Sequence, residues 1–306
     1  MNKSCLVSVI LPNYNHACFL EERIQSVLNQ TYQNFELIIL DDNSTDKSLD
    51  IINKYKDNAH ISHIVVNEEN CGSPFKQWNK GFQLAKGDLV WIAESDDSCS
   101  PYFLEKLVPL HVNNHAVITF CRSQRMDEKG RLLTTWHNEI QSDCIWEGKV
   151  FIGNFLGRVN TITNASSAIF RRDLLSIIPD EYQSFKGAGD WLFWLELSRH
   201  GKVVFCSEAM NYFRSHGNNT TTICYKEGTN YYEGKIINDY LFKEGLISKK
   251  VFKQNVRNNI ITILSLNIIA ESIKYDLLNI WGYNFSFRIK LFVSNILNKL
   301  RLFLWN

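Results

Sequence analysis

The 306-residue sequence lacks a large net charge of either sign. It has 33 Lys and Arg residues and 32 Asp and Glu residues, which leave a formal charge of +1. Dedicated nucleic-acid binders are usually strongly basic, so we expect no nucleic-acid partner. Closely spaced cysteines are also missing, since the eight stand at positions 5, 18, 71, 99, 121, 144, 206 and 224. No two of them are close enough in sequence to form half of a structural zinc site. The spacing therefore predicts reduced, mostly buried thiols.

Long apolar runs and a signal peptide are missing too. No segment approaches the ~18 consecutive apolar residues that span a bilayer. The N-terminus passes from Met-Asn-Lys-Ser-Cys directly into a strand-like run. These features predict a cytoplasmic protein. The triplets that begin at Asn164 and Asn219 match the N-glycosylation pattern, but without a secretory signal we expect them to be chance matches.

What the sequence does have is an alternation of strand-length apolar runs and helix-length amphipathic segments. It predicts strands at 7–11, 36–40, 62–66 and 89–93, and helices near 19–30, 45–56, 74–85 and 101–114. Further strands are predicted at 116–121 and 203–206, a polar hairpin around 128–131, and a helix near 191–200. The pattern is typical of an α/β fold with a Rossmann-like, mostly parallel sheet. From about Tyr231 the chain becomes helical, which indicates a boundary there.

Four polar motifs follow the first four predicted strands. They are Pro12-Asn-Tyr14-Asn15, Asp41-Asp42-Asn43-Ser44, the segment from Asn67 to Gly72, and Glu94-Ser-Asp96-Asp97. The carboxyl ends of parallel strands meet along one edge of a sheet, where ligands bind. Each of the first three motifs is also ordinary turn or cap chemistry, so a purely structural role stays open for it.

The acids Glu94, Asp96 and Asp97 are harder to explain as turn chemistry. Clustered carboxylates raise one another's pKa unless a cation shares the site. Mg²⁺ and Mn²⁺ suit such oxygen ligands and are commonly held by one or two carboxylates plus substrate phosphates. The glycine-rich loops of dinucleotide-binding dehydrogenases and P-loop enzymes are absent. The cluster therefore predicts a divalent ion bound together with a diphosphate.

Taken together, the four motifs resemble the family 2 glycosyltransferases of the GT-A fold. The resemblance covers residues 5–220 in order and at similar spacing, and includes Asn79, Gly81 and the segment 85–88. It implies a GT-A-type sheet flanked by helices in residues 1–230, with a nucleotide-binding part at 1–115 and an acceptor part at 116–230. A helical C-terminal region at 231–306 would follow.

The resemblance also implies roles for individual residues. Donor-binding roles fall on Pro12, Tyr14, Asn15, Asp42, Asn70, Gly72, Asn79 and Asp96, with Asp96 near the ribose or pyrophosphate. Asp97 would bind Mg²⁺ or Mn²⁺. Glu94 stands where the family often has Asp, which leaves its part as a ligand open.

Two later segments carry the rest of the resemblance. Residues 187–197 are similar to the segment in which an acid opens a helix beside the acceptor, which implies that Asp190 is the general base; an N-cap role stays open. Residues 212–220 are similar to the Tyr-Arg-x-His stretch of the family. That likeness implies that Arg214 neutralises the departing diphosphate and that His216 is a metal ligand.

The implied function is that of an inverting glycosyltransferase. It would move a sugar from a nucleoside diphosphate sugar, with a UDP-sugar as the first expectation, to a hydroxyl of a glycan or polyprenyl-linked acceptor. Surface polysaccharides such as O-antigen or capsule are the expected products. Two alternatives stay open: a sugar-nucleotide nucleotidyltransferase, and a non-catalytic nucleotide- or carbohydrate-binding protein with this fold.

The C-terminal segment 277–306 has four basic residues and no acid. Its apolar residues recur at helical spacing: Leu291, Phe292, Ile296, Leu297, Leu300, Phe303 and Leu304. This composition predicts a helix in peripheral contact with the anionic inner face of the cytoplasmic membrane. A helix packed against the protein core is the alternative.

Overall fold

The computed structural model describes residues 5–135, 140–217 and 219–283. The chain divides into two compact units after Asn219, whereas the sequence indicates a boundary near Tyr231. The predicted membrane-contacting stripe between Leu291 and Leu304 lies outside the described residues, so it stays a prediction.

The first unit is built on one mixed sheet. Its strands are β1 (Val7–Asn13), β2 (Phe35–Asp41), β3 (Ile61–Val66), β4 (Leu89–Ile92), β5 (Ser98–Cys99), β6 (Ala116–Met126), β7 (Leu132–Thr135), β8 (Cys144–Glu147), β9 (Ala168–Arg171) and β10 (Lys202–Arg214). Its helices are α1 (Ala17–Leu28), α2 (Ser48–Asn53), α3 (Pro74–Leu84), α4 (Phe103–Asn113), α5 (Gly148–Phe151) and α6 (Gly189–Ser198).

The strand order places the site. The sheet runs β3-β2-β1-β4-β9-β6-β10-β5, with β7 paired to β6 and β8 paired to β10. β1 lies between β2 and β4 and is parallel to both, while β9 is antiparallel to β4 and to β6. The chain therefore winds in opposite directions from β1, and such a reversal leaves a crevice at the carboxyl ends of the strands.

The apolar runs of the sequence explain the core. Every residue of β1 and β2 is buried, which is typical of parallel strands covered on both faces. On α1, Leu20, Ile24 and Val27 share one buried face at helical spacing and pack in the same cluster as β1 and β2. The predicted strands and helices of the first unit are confirmed, although α2 is shorter than expected and β6 and β10 are longer.

The second unit, as far as the structure describes it, is helical. It contains α7 (Thr220–Lys226), α8 (Thr229–Lys243), α9 (Lys249–Ser265) and α10 (Glu271–Ile280). A small apolar core holds it together, made by Tyr231, Ile260, Ile263, Ile269, Leu277 and Trp281. Among the residues described, there is no helix with the length and apolar character needed to cross a bilayer.

The backbone at Gly148 lies close to Ser198, the last residue of α6. The predicted base, Asp190, is the second residue of the same helix. A Cβ at Gly148 would overlap the backbone carbonyl oxygen of Ser198, whereas a Cβ at Gly153 would meet nothing within 4 Å. We expect Gly148→Ala to lower the free energy of unfolding by about 1–3 kcal/mol through overpacking. Gly153→Ala is the matched control and should cause no loss. Urea unfolding followed by circular dichroism compares them, and equal midpoints would contradict the close packing.

Candidate active site

The turns after β1 and β2 hold each other in place. Asn15 and Asn43 have left-handed φ angles of 55° and 61°, a conformation that Asn adopts more readily than most residues. The Asn15 amide oxygen accepts a hydrogen bond from the Thr45 backbone N–H at 2.7 Å, and the Asn15 N–H donates to Ser44 Oγ at 2.9 Å. Between these contacts Tyr14 is left 45% exposed at the edge of the sheet, and Pro12 is buried within β1.

Asp42 lies at the end of β2 and is almost fully buried. Its Oδ1 accepts hydrogen bonds from Gln77 Nε2 and Asn67 Nδ2, both at 2.6 Å, and from the Cys71 N–H at 3.0 Å. These donors come from α3 and from the loop between β3 and α3. Asp42 therefore fixes the loop that borders the expected nucleoside site, and its contact with a base stays a prediction.

The other donor-site residues of this region form or adjoin the same loop. The Asn70 side chain accepts from the Gly72 N–H at 2.7 Å and donates to the Asp42 carbonyl at 3.3 Å. Gly72 has a φ of 68°, which explains the glycine at this turn. Asn79 is half-buried on α3. The structure thus brings the loop that contains Asn70 and Gly72 beside Asp42, and the donor-binding roles of these two residues and of Asn79 stay predictions.

The acids after β4 differ in charge. Burial, reinforced by the charge of Asp96, raises the pKa of Glu94 to about 8, and Glu94 Oε1 accepts from Trp78 Nε1 at 2.9 Å. Burial and the same neighbour raise the pKa of Asp97 to about 7. Burial acts to raise the pKa of Asp96 as well, but the hydrogen bond from His216 and the neighbouring histidines lower it overall. Near pH 7, Asp96 is therefore the most completely ionised of the three acids.

Asp97 is fully buried and faces protein donors. Its Oδ2 accepts from Ser166 Oγ at 2.7 Å and Asn164 Nδ2 at 2.9 Å, and its Oδ1 accepts from the Arg214 N–H at 3.0 Å. The resemblance implies that Asp97 binds the metal. That role stays a prediction, and the observed contacts make Asp97 an anchor that ties segment 164–166 and the end of β10 to the turn after β4.

Arg214 is also buried, with 1% of its surface exposed. Its Nε donates to the Asp96 carbonyl oxygen at 2.8 Å, its Nη2 to Glu22 Oε2 at 2.6 Å, and its guanidinium lies 4.8 Å from the Phe19 ring centroid. Through these contacts the Arg214 guanidinium links the backbone of the turn after β4 to Glu22 on α1. The expected role of Arg214 at the leaving diphosphate stays a prediction.

A cluster suited to a metal forms beside this turn. One ligand atom each from His16, Asp96 and His216 lie within 4.8 Å of one another, and His216 Nε2 is 3.0 Å from Asp96 Oδ2. Asn219 braces the cluster, because its Nδ2 donates to Asp96 Oδ2 at 3.0 Å and its Oδ1 accepts from the His216 N–H at 2.6 Å. One carboxylate and two imidazoles are a reasonable donor set for a divalent metal.

The predicted base, Asp190, lies at the second position of α6 and is half-buried. Its Oδ2 accepts from Asn160 Nδ2 at 2.8 Å and its Oδ1 from the Trp191 N–H at 2.8 Å. Segment 160–166 therefore contacts Asp190 at one end and Asp97 at the other. This one segment therefore helps to position both Asp97 in the turn after β4 and the Asp190 carboxylate on α6.

The sequence interpretation missed several of these residues. His16 directly follows Pro-Asn-Tyr-Asn, so its place at the end of the first strand was a usable signal. Asn164 and Asn219 were noted only as glycosylation triplets, yet their side chains are 7% and 6% exposed and bond to Asp97 and Asp96. Asn160 had no local signal, because only the fold brings it to Asp190.

Comparison with known proteins agrees with this geometry. Residues 8–176 match the family described as Glycosyl transferase family 2. The match includes the turns after β1, β2 and β4 together with segment 160–166.

Two sequence relatives illustrate the range of similarity. An uncharacterized glycosyltransferase of Haemophilus influenzae is 30% identical over 290 residues, which is 90% of this chain and 87% of the relative. A putative teichuronic acid biosynthesis glycosyltransferase, TuaG of Bacillus subtilis, is 35% identical over 125 residues, or 41% of this chain. The chain spans only 49% of that protein.

Two solved structures share the fold. TarS of S. aureus in complex with UDP-GlcNAc has a TM-score of 0.58 at 21% identity, covering 89% of this chain and 70% of that one. The mannosyltransferase PcManGT of Pyrobaculum calidifontis, in complex with GDP-Man and Mn²⁺, has a TM-score of 0.56 at 14% identity, covering 97% and 81%. At these identities the likeness concerns the fold, and it confirms the predicted GT-A-type α/β class.

The buried position of Asp97 changes what its removal should do. We expect Asp97→Ala to lower the unfolding free energy by about 2–3 kcal/mol, because buried donors of Asn164, Ser166 and Arg214 lose their acceptor. Asp96→Ala, at a half-buried position, is the comparison and should cost clearly less. Urea unfolding in EDTA measures both variants. An Asp97→Ala midpoint equal to that of the unaltered protein would refute the anchoring role.

Proposed function

The chain belongs to glycosyl transferase family 2, and from that membership we propose that it transfers a sugar from a nucleoside diphosphate sugar to a hydroxyl acceptor with inversion at the anomeric carbon. The observation that carries this proposal is the hydrogen-bonded framework at the carboxyl edge of the sheet. It joins the turns after β1 and β2 to each other, and segment 160–166 joins the Asp97 anchor to Asp190.

We assign the divalent ion, Mg²⁺ or Mn²⁺, to Asp96 and His216 rather than to Asp97. Asp96 is half-buried and carries the charge, whereas both oxygens of Asp97 accept hydrogen bonds from buried protein groups. When bound, such an ion supplies positive charge to the leaving diphosphate. The Mn²⁺ complex of PcManGT, which shares the fold, supports a metal of this class.

The donor that we propose first is a UDP-sugar, a choice supported by the UDP-GlcNAc complex of TarS. Tyr14 presents an exposed aromatic ring beside the turn held by Asn15, in a position to pack against a base. Asp42 holds the loop that contains Asn70 and Gly72, and in our proposal this loop lies on the other side of the base. In this arrangement Pro12 and Asn79 shape the site from β1 and α3.

Asp190 is the proposed general base. Its two hydrogen bonds hold the carboxylate at the start of α6, and a carboxylate so placed removes the proton of the acceptor hydroxyl as the oxygen attacks the anomeric carbon. Departure of the nucleoside diphosphate from the opposite face gives the inverted configuration. The proton passes to Asp190, and the negative charge leaves with the diphosphate.

The proposed acceptor is a glycan or polyprenyl-linked saccharide of a surface polysaccharide. Similarity to TuaG, named for teichuronic acid biosynthesis, supports this class. A lipid-linked acceptor would place the reaction at the inner face of the cytoplasmic membrane, where the basic C-terminal segment is expected. Family membership argues against the nucleotidyltransferase alternative, and turnover separates an enzyme from a binding protein.

Removal of the base should stop transfer while the protein still binds its donor. We expect Asp190→Asn to lower turnover by a factor of about 10²–10⁴, the usual contribution of a positioned base. The measurement is acceptor-dependent release of UDP from UDP-sugars with free and lipid-linked glycans. Asp57→Asn, at an exposed position, should retain full turnover. If Asp190→Asn is as active as this control, another group is the base.

The donor class can be read from ligand-induced stabilisation. UDP with Mn²⁺ should raise the melting temperature more than GDP or dTDP, since a ligand at ~100 times its Kd adds about 2.7 kcal/mol of stability. Asp96→Ala should remove the increment that depends on Mn²⁺. An equal response to all three nucleotides would exclude the proposed preference for uridine, and no response to any would argue for a different ligand class.

A further inference from the structure

His16 occupies a position that the metal assignment to Asp96 and His216 does not explain. Its ring is half-buried, and the rings of His16 and His216 meet edge to face with centroids 5.5 Å apart. The His16 Nδ1 lies 2.8 Å from Ser95 Oγ, so a side chain from the turn after β4 fixes this ring from outside the cluster.

The dimensions of the cluster suit one ion. Two ligands each ~2.1 Å from a metal lie ~3 Å apart when they are neighbours and ~4.2 Å apart when they are opposite. The separation of His216 Nε2 and Asp96 Oδ2 is 3.0 Å, and the three ligand atoms, including that of His16, lie within 4.8 Å of one another. These separations are close to those that a single ion requires, so a movement of the side chains toward a common centre would bring all three ligand atoms onto one ion.

The outer contacts resemble those that orient metal ligands in proteins. Metal-binding histidines usually engage their second ring nitrogen with a neighbouring polar group, which fixes the ring and its tautomer. In the tautomer whose Nδ1–H donates to Ser95 Oγ, the Nε2 of His16 keeps its lone pair for a metal. Asn219 orients the other two residues, since its side chain bonds to the Asp96 carboxylate and to the backbone N–H of His216.

We propose that His16 is a third protein ligand and that the resulting pair of imidazoles makes the site selective for Mn²⁺ and later transition metals over Mg²⁺. Magnesium prefers oxygen ligands, whereas imidazole suits transition metals. This inference rests on the proposed function, because it concerns the ion assigned there to Asp96 and His216.

The test measures metal binding to the full chain without nucleotide or sugar. MnCl₂ and MgCl₂ are titrated separately by calorimetry, and the ratio of the two Kd values gives the selectivity. His16→Gln should weaken Mn²⁺ binding by about 10-fold or more and lower the preference for Mn²⁺ over Mg²⁺. His200→Gln makes the same change at an exposed histidine and should alter neither value.

A second variant and a spectroscopic readout separate ligation from support of the fold. His16→Glu places an oxygen ligand near the same point, because its carboxylate reaches about as far from the backbone as the Nε2 of histidine, so it should retain metal binding and shift the preference toward Mg²⁺. Pulsed electron paramagnetic resonance of bound Mn²⁺ should detect nitrogen from two imidazoles in the unaltered protein and from one in His16→Glu.

The outcomes distinguish this inference from the function on which it rests. If the unaltered protein binds Mn²⁺ with a single imidazole, or if His16→Gln keeps its affinity and its preference, the third ligand is disproved while the metal assignment stands. If the unaltered protein binds neither Mn²⁺ nor Mg²⁺, the metal assignment itself fails, and the inference fails with it.

Discussion

The buried carboxylate of Asp97 is the constraint on which the rest of the site depends. It accepts hydrogen bonds from Asn164 and Ser166 on one side and from the backbone of Arg214 on the other. Through these contacts the turn after β4, segment 160–166 and the end of β10 take up fixed positions. The neighbouring Asp96 faces the cluster of histidines, where it contacts His216 and Asn219.

Differences in pKa explain why Asp96 is suited to bind an ion, whereas the neighbouring Glu94 and Asp97 are suited to hydrogen bonding within the fold. Burial raises the pKa values of Glu94 and Asp97 to about 8 and about 7, whereas contacts with His216 keep the pKa of Asp96 low. The buried guanidinium of Arg23, which lies 5.0 Å from the Trp91 ring centroid, lowers the pKa of both raised groups and offsets part of their charge. An ion at Asp96, as proposed, would supply positive charge beside Arg214, whose guanidinium bonds to Glu22.

Periodicity and the edge rule were enough to predict β1 to β4, β6 and β10, but not the short strands β5, β8 and β9. Buried runs such as β1 and β2 and the amphipathic α1 come from local patterns, so their places follow from the chain alone. The edge rule also gathers the turns that contain Tyr14, Asp42 and Asp96. Local sequence does not show which of two adjacent acids faces inward, because Asp97 is buried by partners that lie far along the chain. Asn160 was missed for the same reason, since only the fold brings it to Asp190, whereas His16 follows the first motif directly and could have been found from its position.

The central claim is that one divalent ion at Asp96, His216 and His16 joins the protein to the diphosphate of its donor. Anomalous diffraction at the manganese edge, from crystals grown with MnCl₂ and UDP, tests it most directly. The account predicts one peak within bonding distance of Asp96 and His216 and in contact with the UDP phosphates. A peak bonded to Asp97 instead, or UDP bound at this edge with no manganese beside it, would contradict the claim.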